Sequence, residues 1–346
     1  CLELLAPHWR AALDQVSAFN ASAGERRRGV GIGCMWYGIG NTGLSNPSTM
    51  RIALDSGGKL KLYNGAVDIG QGSTTVIAQI CADGLGLPVA HIEQTVGDTD
   101  LTADAGKTSA SRQTFVSGRA AQLAGEDLRR HILRHANAGP ESEIELAGNI
   151  VTVRDGGGQH EIDLSKLPMD QDGAVMQGRG TFDPPTIGLD ENGQGSPYAT
   201  YSFAAQIATV EVDMELGTTS VLKTTAAHDV GRAINPIQVE GQVQGGIAQG
   251  LGLALMEEYV PGRSDNLHDY LIPTIGDMPE IEVLVVEEEE PLGPYGAKGV
   301  GEPGLIPTAP AIFGAIRDAT GVRLTRAPAL PHRLRAAILA EEQNDG

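Results

Sequence analysis

Residues 296–304 read GAKGVGEPG, nine positions with four glycines, one lysine and a single carboxylate, Glu302. A buried carboxyl with no side chains beside it is pushed up in pKa, toward the range in which a general base works near neutral pH. The glycines around it leave room for a cofactor and a substrate to come close. Lys298, four residues earlier, is the competing explanation, because a salt bridge to it would make Glu302 structural.

Two further stretches place polar groups where helix N-termini are expected. GAVDIGQGSTTVIAQ (65–79) runs a strand into a Gly70-Gln71-Gly72 turn and straight into a helix opened by Ser73. Free N–H groups there would face an anion or an electronegative ligand atom, and Gln71 can add an amide donor. An ordinary strand-to-helix connection explains the same residues. GKTSASRQTFVSGRAA (106–121) crowds Thr108, Ser109, Ser111, Gln113 and Thr114 at another helix start, more polar groups than one cap needs. That lining suits a polar ligand such as a phosphate, although the spacing is not that of a P-loop.

In 235–259 a helix opened by Asn-Pro holds five glycines within 241–252, each costing about 1 kcal/mol against alanine. Close approach of another helix or of a flat ligand would explain them, and Gln249 is then either a core amide or a ligand contact. Upstream, Asp229 and Arg232 are expected to form an ion pair that fixes their loop. GIGNTG (38–43) has the G-x-G-x-x-G spacing, but the LSNPST that follows is turn chemistry, so it is not a dinucleotide fingerprint.

The elements that must position these groups follow from periodicity. An amphipathic helix is expected over 2–22, and further helices over 73–87, 111–136, 235–259 and 308–321. Strands are expected in 28–38, 48–70 and 91–99, as a hairpin in 149–164, as two or three strands in 201–231, and in 279–290. The 323–339 tail should hold a strand and a last helix. No repeat of 20–50 residues appears. The mixture predicts an α+β fold with mixed sheets and packed helices, in two subdomains around one site. The expected division is an N-terminal helix 1–24, a first portion 25–140, a connecting hairpin and loop region 141–200, and a second portion 201–346 with Glu302.

Composition narrows the function classes. With 346 residues, 41% of them hydrophobic, the chain can bury a substantial core, and a net charge of −19 disfavours nucleic acid and anionic membrane surfaces. The runs VEEEE (286–290) and EEQND (341–345) read as solvated. Cys1, Cys34 and Cys81 lie far apart without zinc or cluster spacing, which suits a reducing, cytoplasmic location. The chain opens without methionine on what reads like a helix entered midway, so a fragment or one part of a split enzyme is expected.

Taken together, GAVDIGQG, TSASRQT, GGIAQGLG and GAKGVGEPG follow the order and approximate spacing of the molybdenum-binding part of the molybdenum hydroxylases. From about residue 25 onward the sequence resembles this xanthine dehydrogenase and aldehyde oxidoreductase family. WYGIGNTGLSNPST and DAGKTSASRQTFV look closest to bacterial aldehyde oxidoreductases. The resemblance implies that Gly70, Gln71, Gly72 and Ser73, with Thr108, Ser109, Ala110, Ser111, Arg112, Gln113 and Thr114, hold molybdopterin and its phosphates. It makes Gln249 a pterin contact, sets Gly299, Val300 and Gly301 against the cofactor, and makes Glu302 the catalytic base. The metal would be held through the pterin dithiolene, without a protein ligand.

In the family reaction the glutamate deprotonates a molybdenum-bound hydroxyl that attacks the substrate carbon while hydride passes to a sulfido ligand. Water supplies the product oxygen. The resemblance further implies the cytosine dinucleotide form of molybdopterin, 2Fe–2S clusters and a flavin (FAD) on other domains or subunits, and an aldehyde or N-heterocycle as substrate. The family's Gly-Gly-Phe-Gly loop and substrate-side arginine loop have no match here. The chain therefore resembles a C-terminal half, and a partner bearing the N-terminal half of the molybdenum region is expected to complete the site. The alternative from another class is a non-catalytic cofactor-binding or assembly module of the same fold.

Overall fold

The computed structural model describes residues 1–22 and 24–344, so Asp345 of the terminal acidic run lies outside the described residues. Along the chain come α1 (Leu2–Asn20), β1 (Arg26–Ile39), β2 (Ser48–Asp55), β3 (Leu60–Asn64), α2 (Ser73–Leu85) and β4 (Ile92–Val96). A π-helical turn, Gln113–Ser117, leads into α3 (Gly118–His135), followed by β5 (Glu143–Ala147), β6 (Ile150–Asp155), β7 (Gly158–Asp163) and β8 (Ala174–Phe182). The last part holds β9 (Thr200–Asp213), β10 (Thr219–Asp229), α4 (Pro236–Leu255), β11 (Glu280–Val286), α5 (Thr308–Thr320) and α6 (Pro331–Asn344).

These elements form the expected mixed sheets with packed helices. One sheet has the order β1-β9-β10-β11, with antiparallel pairs except for the parallel β10/β11 edge. A second runs β4-β3-β2-β8, and a third, β5-β6-β7, contains the predicted 149–164 hairpin. Sheet membership does not follow chain order, since β1 joins strands from beyond residue 200 while β8 returns to pair with β2.

Packing explains the two main cores. Ile52, Leu54, Leu60 and Leu62 point from the second sheet onto Ile77, Cys81, Ala120, Ala124 and Leu128 of α2 and α3. Val210 and Val212 of β9 meet Ile312, Ala315 and Ile316 of α5. The alternating glycines of β1 allow that second contact, because a Cβ on Gly29, Gly31 or Gly33 would run into the backbone of α5. α5 stops where the sequence predicts, at Gly321 (φ 76°), whose N–H returns to Arg317 O.

The strand expected after it does not form. Residues 322–330 run irregularly into α6, with Ala329 N–H bonded to Ala254 O at 2.7 Å. Pro328 and Pro331 each remove a donor that a strand there would need. Among the described residues no helix is long and apolar enough to cross a membrane.

Candidate active site

The loop between β11 and α5 is held at both ends. At its start Lys298 N–H donates to Val230 O at 2.9 Å, and the Lys298 ammonium reaches Asp229 at 2.6 Å, both side chains buried. Lys298 is therefore not the partner of Glu302, and the expected Asp229–Arg232 pair does not form, because the loop's alignment with the end of β10 aims the lysine back at the strand. At the loop's other end Gln206 Nε2 donates to Gly304 O at 2.8 Å and approaches His228 Nε2 at 3.0 Å, while Thr308 Oγ1 donates to Gln206 Oε1 at 2.7 Å. Burial pushes the His228 imidazole down to about 4, so it is neutral at physiological pH.

Glu302 itself has close neighbours, contrary to the sequence expectation. Ala110 N–H donates to Oε1 at 2.8 Å, the Ser111 hydroxyl donates to Oε2, and Glu302 N–H donates back to Ser111 Oγ at 2.9 Å. These contacts span 191 and 192 residues, so no local pattern reveals them. Gly299 permits the approach, because a Cβ there would collide with the Ser111 carbonyl. The Tyr37 phenol of β1 lies beside the pair; burial, then the charge of Glu302, pushes its pKa up to about 12.

Glu302 borders a cavity of about 300 Å³ into which the predicted segments converge: Gln71 and Ser73, then Thr108, Ser109, Ser111, Arg112, Gln113 and Thr114, then Gly299, Val300 and Gly301. Gly70, Gly72 and Ala110 support this wall without lining it. The N–H groups of Gly70, Gly72 and Thr74 are not free for an anion, since Asp68 accepts them at 2.8, 3.2 and 3.0 Å. Burial opposes the charge on Asp68, but those donations outweigh it and hold the carboxyl below its ordinary range. Gln71 accepts from Ile69 N–H at 2.7 Å and donates to Ser73 Oγ at 3.0 Å.

Arg112 is fully buried and donates to the carbonyls of Ala105, Asn46 (3.0 Å) and Pro47 (3.1 Å), so it ties loops together. Burial lowers its pKa to about 10, partly offset by Asp104 and Asp183, which leaves it charged at neutral pH.

Gln249 stands apart from the cavity. It is exposed on α4, two turns (about 10 Å) beyond Gln242, which does line the cavity with Gln238. Of the α4 glycines, Gly246 and Gly250 meet Gly304 and Thr308, the close helix approach their number suggested, while Gly241 and Gly245 face open space. Arg232, Asn235, Gln238 and Gln242 are lining residues that the motifs missed. The i, i+4 glutamines after the helix-opening Asn-Pro were the available signal. Tyr37 and Asp68 had none.

The profile of the molybdopterin cofactor-binding domain matches residues 4–279, so the chain belongs to that family, the molybdenum-binding part of the molybdenum hydroxylases. It is 34% identical to the putative xanthine dehydrogenase molybdenum-binding subunit XdhA of Escherichia coli, across 90% of this chain and 42% of that protein. It is 30% identical to the aldehyde oxidoreductase of Megalodesulfovibrio gigas, across 98% of this chain and 35% of that protein. The crystal structure of the aldehyde oxidoreductase from Desulfovibrio desulfuricans superposes with a TM-score of 0.83 at 30% identity, covering 97% of this chain and 34% of that one. The chain thus spans well under half the length of these relatives.

The donor set fits such a cofactor. Amides and hydroxyls such as Gln71, Ser73, Asn235 and Gln242 are set among apolar Ile69, Val76, Val230, Ile234 and Val239, Glu302 is the wall's carboxylate, and Gln238 Oε1 is buried there without a hydrogen-bond partner among the described residues. A heterocycle with many polar edge atoms meets such a surface better than a purely apolar ligand would.

Proposed function

We propose that this chain is the C-terminal portion of a molybdenum-dependent hydroxylase that oxidises an aldehyde to a carboxylic acid, or hydroxylates an N-heterocycle, with water as oxygen source and Glu302 as general base. The observation that carries the reading is the placement of the Glu302 carboxylate at the cavity wall, where one donor holds each oxygen. Each carboxylate oxygen offers two lone pairs, so one donation apiece leaves acceptor capacity toward the cavity for an incoming proton.

Gln71, Ser73, Gln238 and Gln242 would hold the pterin's polar edge, and Thr108, Ser109 and Arg232 offer a hydroxyl-and-cation lining for phosphate. When bound, the cofactor supplies the metal that accepts two electrons from the substrate. This chain's residues do the rest of what falls to it: they bind the cofactor, orient the base and take the proton at a Glu302 oxygen.

The cytosine dinucleotide form of molybdopterin, 2Fe–2S clusters and a flavin on other domains or subunits, and a partner bearing the N-terminal half of the molybdenum region complete the proposal. Relatives carry names such as "molybdenum-binding subunit" and "dehydrogenase complex subunit gamma", which favours assembly with other segments. The test is metal analysis and turnover of the chain assembled with those segments. Stoichiometric molybdenum is expected, and Glu302→Gln should keep the metal while losing about 10²–10⁴-fold in rate. Full activity in that variant sinks the assignment of the base, and the absence of molybdenum from an assembled complex sinks the cofactor.

A further inference from the structure

Ala110 (φ 58°) and Ser111 (φ 50°) are consecutive non-glycine residues in left-handed backbone, and they turn one N–H and one hydroxyl onto the same carboxylate. Such a conformation is costly for residues with a Cβ and persists where surrounding contacts over-determine it. Those contacts are present: Gly40 N–H binds Ala110 O at 2.9 Å, Gly299 lies against the Ser111 carbonyl, and Glu302 N–H binds Ser111 Oγ at 2.9 Å. One cap on the following helix would have needed none of this.

We propose that Ser111 is a positioning residue for Glu302, its hydroxyl fixing the carboxylate in one orientation at the cavity wall, which rests on the reading of Glu302 as the base. The hydroxyl has a single proton. Donating it to Oε2 while accepting the Glu302 N–H closes a small ring of hydrogen bonds, so neither group can rotate without losing both. Tyr37 backs the pair from β1 and, with its raised pKa, remains a neutral phenol through the working range. The other charged groups at the cavity are Arg112, Arg232 and Lys298, the last bonded to Asp229.

The experiment compares Ser111→Ala and Ser111→Gly in the assembled complex. Both remove the hydroxyl, while glycine suits the left-handed backbone and so protects the fold. kcat should fall about tenfold with KM and molybdenum content nearly unchanged. Isotope-edited infrared spectra should show the carboxylate stretching bands of Glu302 shifted and broadened in both variants, independent of turnover.

Unchanged carboxylate bands in both variants overturn the proposal. So does a wild-type profile in Ser111→Gly with a defect confined to Ser111→Ala, which would assign Ser111 a backbone role only. Glu302→Gln separates the two readings. Full activity in that variant removes the base assignment, whereas a dead Glu302→Gln beside unaltered Ser111 variants removes only the positioning role.

Discussion

Lys298 and Asp229 meet at 2.6 Å behind the Glu302 loop, with 7% and 6% of their side chains exposed. Removing one partner strands a buried charge, whereas removing both does not. Lys298→Met is therefore expected to lower the unfolding free energy by about 3–5 kcal/mol, read as a fall in the urea midpoint. Adding Asp229→Asn should recover a large part of the loss. A single variant as stable as wild type would show that the pair does not hold the loop.

His228 makes acid stability testable. Its pKa is lowered by burial from 6.5 to about 4, so the unfolded chain binds the extra proton first. The stability it contributes is complete above about pH 6.5 and is lost as pH falls through the folded value near 4. At 1.36 kcal/mol per pH unit the full span amounts to about 3 kcal/mol. His228→Gln should flatten that part of the stability–pH curve, and parallel curves for the two proteins between pH 6.5 and 4 would refute the assignment.

Gln242 and Gln249 share a face of α4, but only Gln242 reaches the cavity. Losing one hydrogen bond typically costs about 1 kcal/mol, so Gln242→Ala should weaken cofactor retention roughly fivefold while Gln249→Ala leaves it unchanged. Pterin fluorescence and molybdenum content after dialysis read this directly. The reverse order would move the pterin contact back to the position that the GGIAQGLG motif suggested.

Much of the fold was legible because its signals are local. Gly321 marked the end of α5 to within a residue, and Asn-Pro marked the start of α4. The 323–339 tail failed for a local reason as well, since its alternation looked like a strand while its prolines withheld the donors. The site was half legible: the helix-start segments and the glycine loop do converge on one cavity, but a motif is silent on which of its members face inward. Gln249 and the N–H groups of Gly70 and Gly72 show this, the one lying too far along its helix and the others already satisfied by Asp68.

By itself the sequence determined the order of the helices α1 to α6, the glycine-rich loop and the presence of a single carboxylate within it, because helix periods and turn chemistry act over a few residues, while β5 and β8 escaped it. Only the tertiary structure decided what Glu302 touches. Its two donors come from the opposite part of the chain, and Lys298, its nearest charged neighbour in sequence, is drawn instead to Asp229. Hydrogen bonds and ion pairs act over a few ångströms and are blind to distance along the chain, so the environment of a carboxylate is known only once packing has chosen its neighbours.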